Sequence, residues 1–335
     1  MIRTKYSTWN RLWLAQRPNP DVEGLVLRST GSRHEVLTEE GVVSCTIRGK
    51  FRLQEEDATN PVVIGDRVVI QQNPDGSGVI VERRERNGKL SRRAAGRKVG
   101  KEHVIIANLD KAWVVQSVRK PRMNPGFIDR FLVMAEYRGI DAGIIINKTD
   151  LMDAKAEDYI SFFVELYSGM GYEMMFTSVQ NGDGLDELRA SMSSGIHVLV
   201  GPSGVGKSSL LNALDAELGL RTGGISESTQ KGKHTTTYAE LIPIAELRPG
   251  VGFIGDTPGL REFGLVDIEA PDLAHCFVEF RENLGHCRFP NCTHDHEPGC
   301  HIKELVEEDV IPVERYESYI NMLRSIQLGD QDVGR

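Results

Sequence analysis

The sequence has no run of about 18 apolar residues, which excludes a membrane-spanning helix of ordinary length. With 335 residues and only five cysteines, the chain is long enough to bury its own cores without disulfides, so a small disulfide scaffold is excluded as well. Polar residues interrupt the apolar positions of the basic segment 1–18, which therefore lacks the apolar stretch of a signal peptide. We expect a chain that stays in the cytosol and folds on its own hydrophobic cores.

Acidic residues outnumber basic ones, 48 to 40, which taken alone argues against a nucleic-acid partner. The charges are distributed unevenly, however: residues 1–102 have a net charge of +6, whereas residues 103–335 have −14. This asymmetry predicts a basic module that contacts phosphates and a second module with a different task.

Between about residues 23 and 82, short β-rich runs alternate with turn signals: GLVLRS, GVVSCTIRG, FRLQ, GDRVVIQQ and VIVERR. This spacing predicts an all-β barrel of five strands within a domain spanning residues 23–102. The pattern favours an OB-fold, which often binds RNA, and leaves an SH3-like barrel open.

Two basic segments flank the predicted barrel. Residues 83–101 carry nine basic side chains and one acidic one, which favours an RNA-binding strip over a solvated linker. The N-terminal extension, residues 1–22, is either a tail that packs on the barrel or a second RNA contact whose aromatics stack on bases. Its cations and aromatics are Arg3, Lys5, Trp9, Arg11, Trp13 and Arg17.

From His103 the pattern changes to unbroken apolar runs separated by helical stretches. The runs are HVIIAN, AWVVQSV, AGIIIN, MMFTS, HVLVG and GFIGD. Such runs predict an α/β domain, residues 103–265, with a parallel sheet covered on both faces. Beyond it, DLAHCFVEF, HIKELVEED and VERYESYINMLRSIQ predict a mainly helical module, residues 266–335.

The strongest single signal is the segment GPSGVGKS, residues 201–208, which matches the phosphate-loop pattern GxxxxGK[ST] between a strand and a helix. Backbone N–H groups of such a loop surround a β-phosphate, and the helix N-terminus adds the positive end of its dipole. We expect Lys207 to reach the β- and γ-phosphates and Ser208 to hold Mg²⁺. The predicted loop residues are Gly201, Pro202, Ser203, Gly204, Val205, Gly206, Lys207, Ser208 and Ser209.

The segment NKTD, residues 147–150, decides the base. The Asp150 carboxylate can accept hydrogen bonds from the guanine N1–H and exocyclic amine, which adenine does not offer, so ATP is disfavoured. Asn147 is expected to bond the purine edge or to brace the phosphate loop, and the Lys148 stem to lie along the ring. The predicted base-site residues are Asn147, Lys148, Thr149, Asp150, Thr177 and Ser178.

The segment DTPG, residues 256–259, ends a further strand. Asp256 is expected to hold Mg²⁺ through a water molecule, and Gly259 to present its N–H to the γ-phosphate. In most GTPases the phosphate loop precedes the base motif; here the order is reversed. Strand ends of a doubly wound sheet converge on one crevice whatever their chain order, so the sequence predicts a circularly permuted P-loop GTPase domain.

Permutation places the γ-phosphate sensor next to the C-terminal module. We therefore expect this module to be the first element to move on hydrolysis, seen as a change in hydrogen exchange of residues 260–300 between GTP-analogue and GDP states.

Hydrolysis needs a group that orients the attacking water. Leu260 follows DTPG where many GTPases have Gln, so slow intrinsic turnover is expected, and His234 is the candidate for this role. It lies in a polar, glycine-rich stretch, residues 221–237, typical of a switch loop, in which Thr236 offers a second hydroxyl to Mg²⁺. The predicted catalytic residues are His234, Lys207 and Gly259.

Four of the five cysteines lie in the last quarter of the chain. Three of them, with one histidine, make a closed tetrahedral set typical of structural zinc: Cys287, Cys292, His294 and Cys300. Spacing alone leaves His286, His296 and His301 open as competing ligands. Cys45 stands apart and is expected to be a small buried residue.

Together, NKTD at 147–150, GPSGVGKSS at 201–209, GKHTTT at 232–237, DTPG at 256–259 and the Cys/His set resemble the ribosome small-subunit-dependent GTPase A family of bacteria over nearly the whole chain. The resemblance implies an N-terminal OB-fold, a circularly permuted GTPase domain and a C-terminal zinc-binding domain. It implies a late assembly factor that binds the small (30S) ribosomal subunit and its rRNA, whose GTP hydrolysis the subunit stimulates. It also favours the four zinc ligands given above over the neighbouring histidines.

We therefore expect a monomeric, cytoplasmic GTPase that uses GTP, Mg²⁺ and one zinc ion and has no membrane contact. One alternative is a nucleotide-gated RNA-binding module with little intrinsic turnover, which a multiple-turnover phosphate-release assay would distinguish. The other is an ATP-dependent enzyme of the phosphate-loop class, which competition of ATP against GTP would settle.

Overall fold

The computed structural model describes residues 21–49, 61–93, 102–214, 239–245, 250–256 and 268–328. Its N-terminal part is a five-stranded barrel of β1 (Asp21–Thr30), β2 (Arg33–Thr38), β3 (Gly41–Ile47), β4 (Arg67–Gln72) and β5 (Gly78–Arg83). The strand order is β1-β2-β3-β5-β4, with β4 pairing back onto β1 and with β3 and β5 parallel. Alternate residues of these strands fill the barrel interior, among them Val26, Val36, Val68, Ile70 and Ile80. The predicted barrel is confirmed.

The barrel differs from the expectation in one strand. The second strand, RHEVLT, was not among the predicted runs, because charged residues break its short apolar alternation. A tight turn at Gly31, where φ is +63°, folds it back onto β1. The predicted run FRLQ lies outside the described residues.

Two further strands, β6 (Lys89–Arg93) and β7 (Glu102–Ala107), form an antiparallel ribbon between the barrel and the α/β part. The prediction that HVIIAN joins the parallel sheet is therefore wrong, since this run forms most of β7. An unbroken apolar run is compatible with a strand of the ribbon or of the parallel sheet. Here pairing with the preceding strand β6 places it in the ribbon. Residues 89–93 of the basic strip belong to a strand rather than to a linker.

The α/β part contains a six-stranded sheet in the order β10-β9-β8-β11-β13-β12. All neighbours are parallel except β12, which runs antiparallel to β13 and pairs with β1 of the barrel. The strands are β8 (Lys111–Ser117), β9 (Asp141–Asn147), β10 (Glu173–Thr177), β11 (Ile196–Val200), β12 (Glu240–Pro243) and β13 (Phe253–Asp256). Nearly every residue of β8, β9 and β11 is buried, as expected for strands covered on both faces.

Within the described residues, four helices connect these strands: α1 (Pro125–Arg138), α2 (Ala154–Gly169), α3 (Leu185–Ser191) and α4 (Lys207–Leu214). The sequence marks both ends of α1. The Asn124 side chain accepts a hydrogen bond from the Phe127 N–H, Pro125 follows it, and Gly139 closes the helix in the left-handed conformation.

The C-terminal module contains α5 (Ala270–Leu273), α6 (His301–Glu307) and α7 (Val313–Gln327). The predicted helix over DLAHCFVEF is only partly present, since its residues 274–276 form a 3-10 turn. Phe277, Phe280 and Tyr319 pack in the core of the module, and Val133 of α1 belongs to the same core. The module thus packs directly on the α/β part. In the described part of the chain, none of the helices has the length and apolar character that crossing a membrane requires.

Candidate functional site

The carboxyl ends of the parallel strands converge at one edge of the sheet. Asn147, which ends β9, lies in register with Thr177 of β10 and Ser117 of β8. The neighbouring strands β8 and β11 are the switch point: after β8 the chain continues to β9 on one side, and after β11 it continues to β12 and β13 on the other. Ligands of open α/β sheets bind in the crevice outside such a pair of strand ends.

The predicted phosphate loop joins β11 to α4 at this crevice. Gly204 and Gly206 have φ angles of +84° and +101°, which side chains other than glycine rarely adopt. A Cβ atom on Gly201 would lie 2.2 Å from the Val115 carbonyl oxygen, so the loop also lies tightly against β8. The loop is thereby shaped to direct backbone N–H groups towards an anion.

Lys207 begins α4, and its ammonium group bends back over the loop. Nζ donates hydrogen bonds to the carbonyl oxygens of Gly201, at 2.6 Å, and Pro202, at 2.9 Å. These neutral acceptors hold the cation at the mouth of the loop, where a phosphate would meet it. Ser208 and Ser209 follow in the first turn of α4 and are half-buried.

Asn147 links the base motif to the phosphate loop. Its buried side-chain Nδ2 donates to the Val205 carbonyl oxygen at 2.9 Å, and its Oδ1 accepts from Thr177 Oγ1 at 3.1 Å. Of the two roles expected for Asn147, the structure shows the bracing of the loop. It also places Thr177, which sequence alone hardly supported, in direct contact with this residue.

Lys148 makes a second link. It has a φ of +62°, and its Nζ donates to the carbonyl oxygens of Gly204, at 2.6 Å, and Lys120. Burial lowers the pKa of its ammonium group. Sequence reasoning missed the segment of Lys120, residues 118–124, although a loop that follows a strand of a parallel sheet is a known position for site residues.

Asp150 stands in the short 3-10 turn Thr149–Leu151, directly after the strand end. Its carboxylate Oδ1 accepts a hydrogen bond from the buried Ser178 Oγ at 2.7 Å. Ser178 follows Thr177 of β10, so the segments around residues 147–150 and 177–178 form one pocket wall. Among the described residues, none donates a hydrogen bond to the second carboxylate oxygen of Asp150. A ligand donor would therefore meet no competing protein donor at this oxygen.

Asp256 ends β13, beside the phosphate-loop strand β11, as the spacing predicts. The other residues predicted to take part in hydrolysis, His234, Thr236 and Gly259, lie outside the described residues, as does Leu260.

Two cations of the basic strip have structural partners. Arg86 makes a bidentate ion pair with the buried Asp66, Nε–Oδ1 2.7 Å and Nη2–Oδ2 2.8 Å. Arg84 pairs with Glu23 and Glu82 at the surface. The number of cations in residues 83–101 therefore overstates the positive charge available to a phosphate backbone.

In the C-terminal module, the loop before α6 brings Cys287, Cys292, His294 and Cys300 together, with all four ligand atoms within 4.8 Å of one another. Cys287 Sγ lies 3.5 Å from His294 Nδ1 and 3.9 Å from Cys300 Sγ, and His294 Nδ1 lies 3.4 Å from Cys300 Sγ. A tetrahedral zinc ion with bonds of about 2.3 Å to sulfur and about 2.0 Å to nitrogen places its ligand atoms roughly 3.5–3.8 Å apart. These four residues fit zinc.

The competing histidines lie apart from this cluster within the described residues. The rings of His286 and His301 contact each other with centroids 5.6 Å apart, and the His296 side chain is 80% exposed. Cys45 is buried in the barrel, and burial raises the pKa of its thiol to about 11, as expected for an inert packed residue.

Known proteins resemble this chain over most of its length. The family model described as RsgA GTPase matches residues 83–266, and the model described as RsgA N-terminal domain matches residues 23–80. The chain is 40% identical to the "Small ribosomal subunit biogenesis GTPase RsgA" of Phocaeicola vulgatus over 92% of this chain and 98% of that protein. It is 42% identical to the protein of the same name from Gemmatimonas aurantiaca over 89% of this chain and 95% of that one.

Solved structures resemble it as well. YjeQ from Thermotoga maritima aligns with a TM-score of 0.76 and 34% identity over 94% of this chain and 100% of that one. YloQ, described as a circularly permuted GTPase, aligns with a TM-score of 0.74 and 29% identity over 94% of this chain and 98% of that one.

Proposed function

This chain belongs to the RsgA GTPase family and is a GTP-hydrolysing enzyme of small-subunit biogenesis; we propose that it binds the small ribosomal subunit through its rRNA and that the nucleotide site described above times its stay there. Its cofactors are GTP or GDP and Mg²⁺, and the Cys/His cluster is consistent with one zinc ion.

One observation carries the assignment of the site. The two side chains that begin the base motif, Asn147 and Lys148, donate directly to carbonyl groups of the phosphate loop at Val205 and Gly204. The end that would read the base and the end that would hold the phosphates are therefore one site, although they lie more than 50 residues apart in the chain.

Each residue has a proposed role in this site. The Asp150 carboxylate, oriented by Ser178, accepts from the guanine N1–H and amine, which an adenine base does not supply. Lys207 exchanges its two carbonyl partners for phosphate oxygens. Mg²⁺ would be held by Ser208 directly and by Asp256 through water, and it would neutralise charge between the phosphates.

The hydrolytic step is proposed to depend on residues of the switch segments. Thr236 supplies a second hydroxyl to Mg²⁺, Gly259 donates its N–H to the γ-phosphate, and His234 orients the attacking water. The movement of the C-terminal module on hydrolysis likewise stays a prediction, because the segment that would drive it lies outside the described residues.

We propose a monomer, since one chain provides both ends of the nucleotide site. The surplus of basic residues before residue 103 supports rRNA as the contact. Three thiolate ligands for a metal fit the reducing cytoplasm, where assembly of the subunit also takes place.

The experiment is a multiple-turnover phosphate-release assay with GTP or ATP, alone and with added small subunits, large subunits or free RNA. We expect turnover with GTP only, stimulated by small subunits. Asp150→Asn should weaken GTP binding by about 10²-fold or more, because the amide cannot accept both guanine donors. Asp186→Asn, an exposed carboxylate on α3, is the matched control.

Equal use of ATP and GTP would contradict the assignment of the base site. A protein that binds GTP but releases no phosphate with any of the additions would instead be the nucleotide-gated binding module.

A further inference from the structure

A buried carboxylate, Asp129, stands where three helices meet. It belongs to α1, and its side chain is 4% exposed. Oδ1 accepts from Arg315 Nη1 of α7 at 2.5 Å and from the Tyr167 hydroxyl of α2 at 2.9 Å. Oδ2 accepts from Ser318 Oγ, also of α7. One carboxylate therefore connects two helices of the GTPase domain to the C-terminal module.

Arg315 is the cation of this network and has no solvent exposure. Its Nε donates to Glu279 Oε1 at 2.6 Å, and its guanidinium lies over the Phe277 ring, 4.6 Å from the centroid. Removing such charges from water offsets most of their attraction, so apolar residues of the same volume would stabilise the interface as well. What the ion pair adds is a fixed geometry between the helices.

The two helices held by Asp129 are those that flank the base motif. Asn124 caps the N-terminus of α1, and its N–H donates to Gln116 Oε1 on β8 at 3.1 Å. The segment before it contacts the motif twice: the Val118 N–H donates to the Asn147 carbonyl oxygen at 3.0 Å, and the Lys120 carbonyl oxygen accepts from Lys148 Nζ.

α2 begins directly after the motif, because the Asp153 side chain accepts from the Ala156 N–H and caps the helix. Tyr167, near the other end of α2, is the residue that bonds Asp129. The same carboxylate therefore joins the helices that precede and follow NKTD.

We propose that Arg315 is a positioning residue for guanine recognition: by fixing Asp129, it holds α1 and α2 and thereby sets the position of Asp150. The inference rests on the proposed function of the site. It implies that the C-terminal module controls base selectivity, and by linkage a guanine nucleotide in the site strengthens docking of α7.

Helix α7 also contacts the loop that carries the Cys/His cluster. The hydroxyls of Tyr316 and Tyr319 donate to the carbonyl oxygens of His294 and Thr293, each at 2.7 Å. α7 thus lies between the metal cluster and the helices of the base site, and the experiment below uses the full, zinc-loaded chain.

The test compares the affinities of GDP and IDP, the inosine nucleotide that lacks the exocyclic amine, by competition against a fluorescent GDP. In the unchanged protein, Asp150 should make GDP bind about 10- to 100-fold tighter than IDP, as expected for one hydrogen bond to a charged group. In Arg315→Met, the ratio of the two affinities should fall at least threefold. Displacement of the Asp150 carboxylate would weaken its hydrogen bond to the exocyclic amine, which GDP has and IDP lacks.

Arg281→Met is the matched control. Arg281 joins the C-terminal module to α1 through Glu136 at 2.6 Å, but this pair lies at the surface and does not contact Asp129. A weakened interface without displacement of Asp129 should leave the GDP/IDP ratio unchanged. Loss of folding stability alone lowers both affinities equally, so the ratio separates positioning from a structural role.

Two milder variants cover a failure of Arg315→Met to fold. Arg315→Lys keeps the charge but not the planar guanidinium, and Ser318→Ala removes one hydrogen bond to Asp129. Each should lower the GDP/IDP affinity ratio, but by less than Arg315→Met does. A ratio unchanged in every variant overturns the inference and leaves the proposed function standing. If the unchanged protein does not discriminate GDP from IDP, guanine recognition by Asp150 fails, and the inference fails with it.

Discussion

Gly206 shows how closely the phosphate loop is built against the base motif. A Cβ atom at this position would lie 2.3 Å from Asn147 Nδ2, the nitrogen that bonds the Val205 carbonyl oxygen. The φ of +101° adds a backbone strain that only glycine avoids. The glycine of the motif thus serves the contact between the two ends of the site as well as the fold of the loop.

Gly206→Ala should therefore displace Asn147 and weaken GDP binding by at least about tenfold, the effect of losing roughly one hydrogen bond to the loop. The measurement is the dissociation constant of a fluorescent GDP. Gly171→Ala is the control, since φ there is +87° but nothing lies within 4 Å of the added carbon. It should cost about 1–2 kcal/mol of folding stability and leave the GDP affinity unchanged.

At the scale of elements, the loop from Leu284 to α6 is held together by its Cys/His cluster. Between the 3-10 turn Arg281–Asn283 and α6 the described chain has no helix or strand, and much of the loop is exposed. We expect such a loop to depend on a bound metal ion, because binding of the ion would supply the free energy that its small apolar contacts do not.

Removal of one ligand should release the ion. We expect one zinc per chain in the unchanged protein and less than half of that in Cys287→Ser, measured with a chromogenic chelator after denaturation. Hydrogen exchange of residues 284–300 should rise in the same variant. Cys276→Ser is the control: Cys276 is buried in the same module but lies outside the cluster, so zinc content should not change.

At the scale of the whole molecule, the barrel and the GTPase domain share backbone and side-chain contacts. Ile64 forms a β-bridge with Ile106 of the β6–β7 ribbon, and Asn108 Nδ2 donates to the Gly65 carbonyl oxygen at 2.7 Å. The Arg86–Asp66 pair stands beside these contacts, with side-chain exposures of 10% and 0%. Asp66 also accepts from the Val63 N–H, so the carboxylate orders the barrel end that faces the ribbon.

Arg86→Met leaves this carboxylate buried and unpaired, which should cost about 3–5 kcal/mol. Because a chain of several domains does not unfold in two states, the measurement is the midpoint of the first thermal transition together with the rate of limited proteolysis. Arg28→Met is the control and breaks the ion pair between Arg28 and Glu240. Because the Arg28 side chain is 44% exposed, this loss should cost no more than about 1 kcal/mol of folding stability. Equal effects would contradict a structural role for Arg86.

Local pattern predicted some elements well and others poorly. The apolar spacing over residues 313–327 indicates a helix, and α7 has those bounds. The run HVIIAN reads the same in a ribbon as in a parallel sheet, because period and composition do not specify the partner strand. RHEVLT was missed for the opposite reason: its pattern is weak, and pairing with β1 and β3 makes it a strand.

The sequence by itself determined which local motifs this protein has: a lysine and glycines in a pattern typical of phosphate binding, a carboxylate in a pattern typical of guanine recognition, and closely spaced thiols typical of a metal site, since local spacing defines such motifs. Only the tertiary structure decided which residues share a contact. It placed His294, and not its neighbouring histidines, among the cysteines. It paired Arg86 with Asp66 and Arg315 with Asp129. Contacts between residues distant in the chain depend on packing, and no local pattern records them.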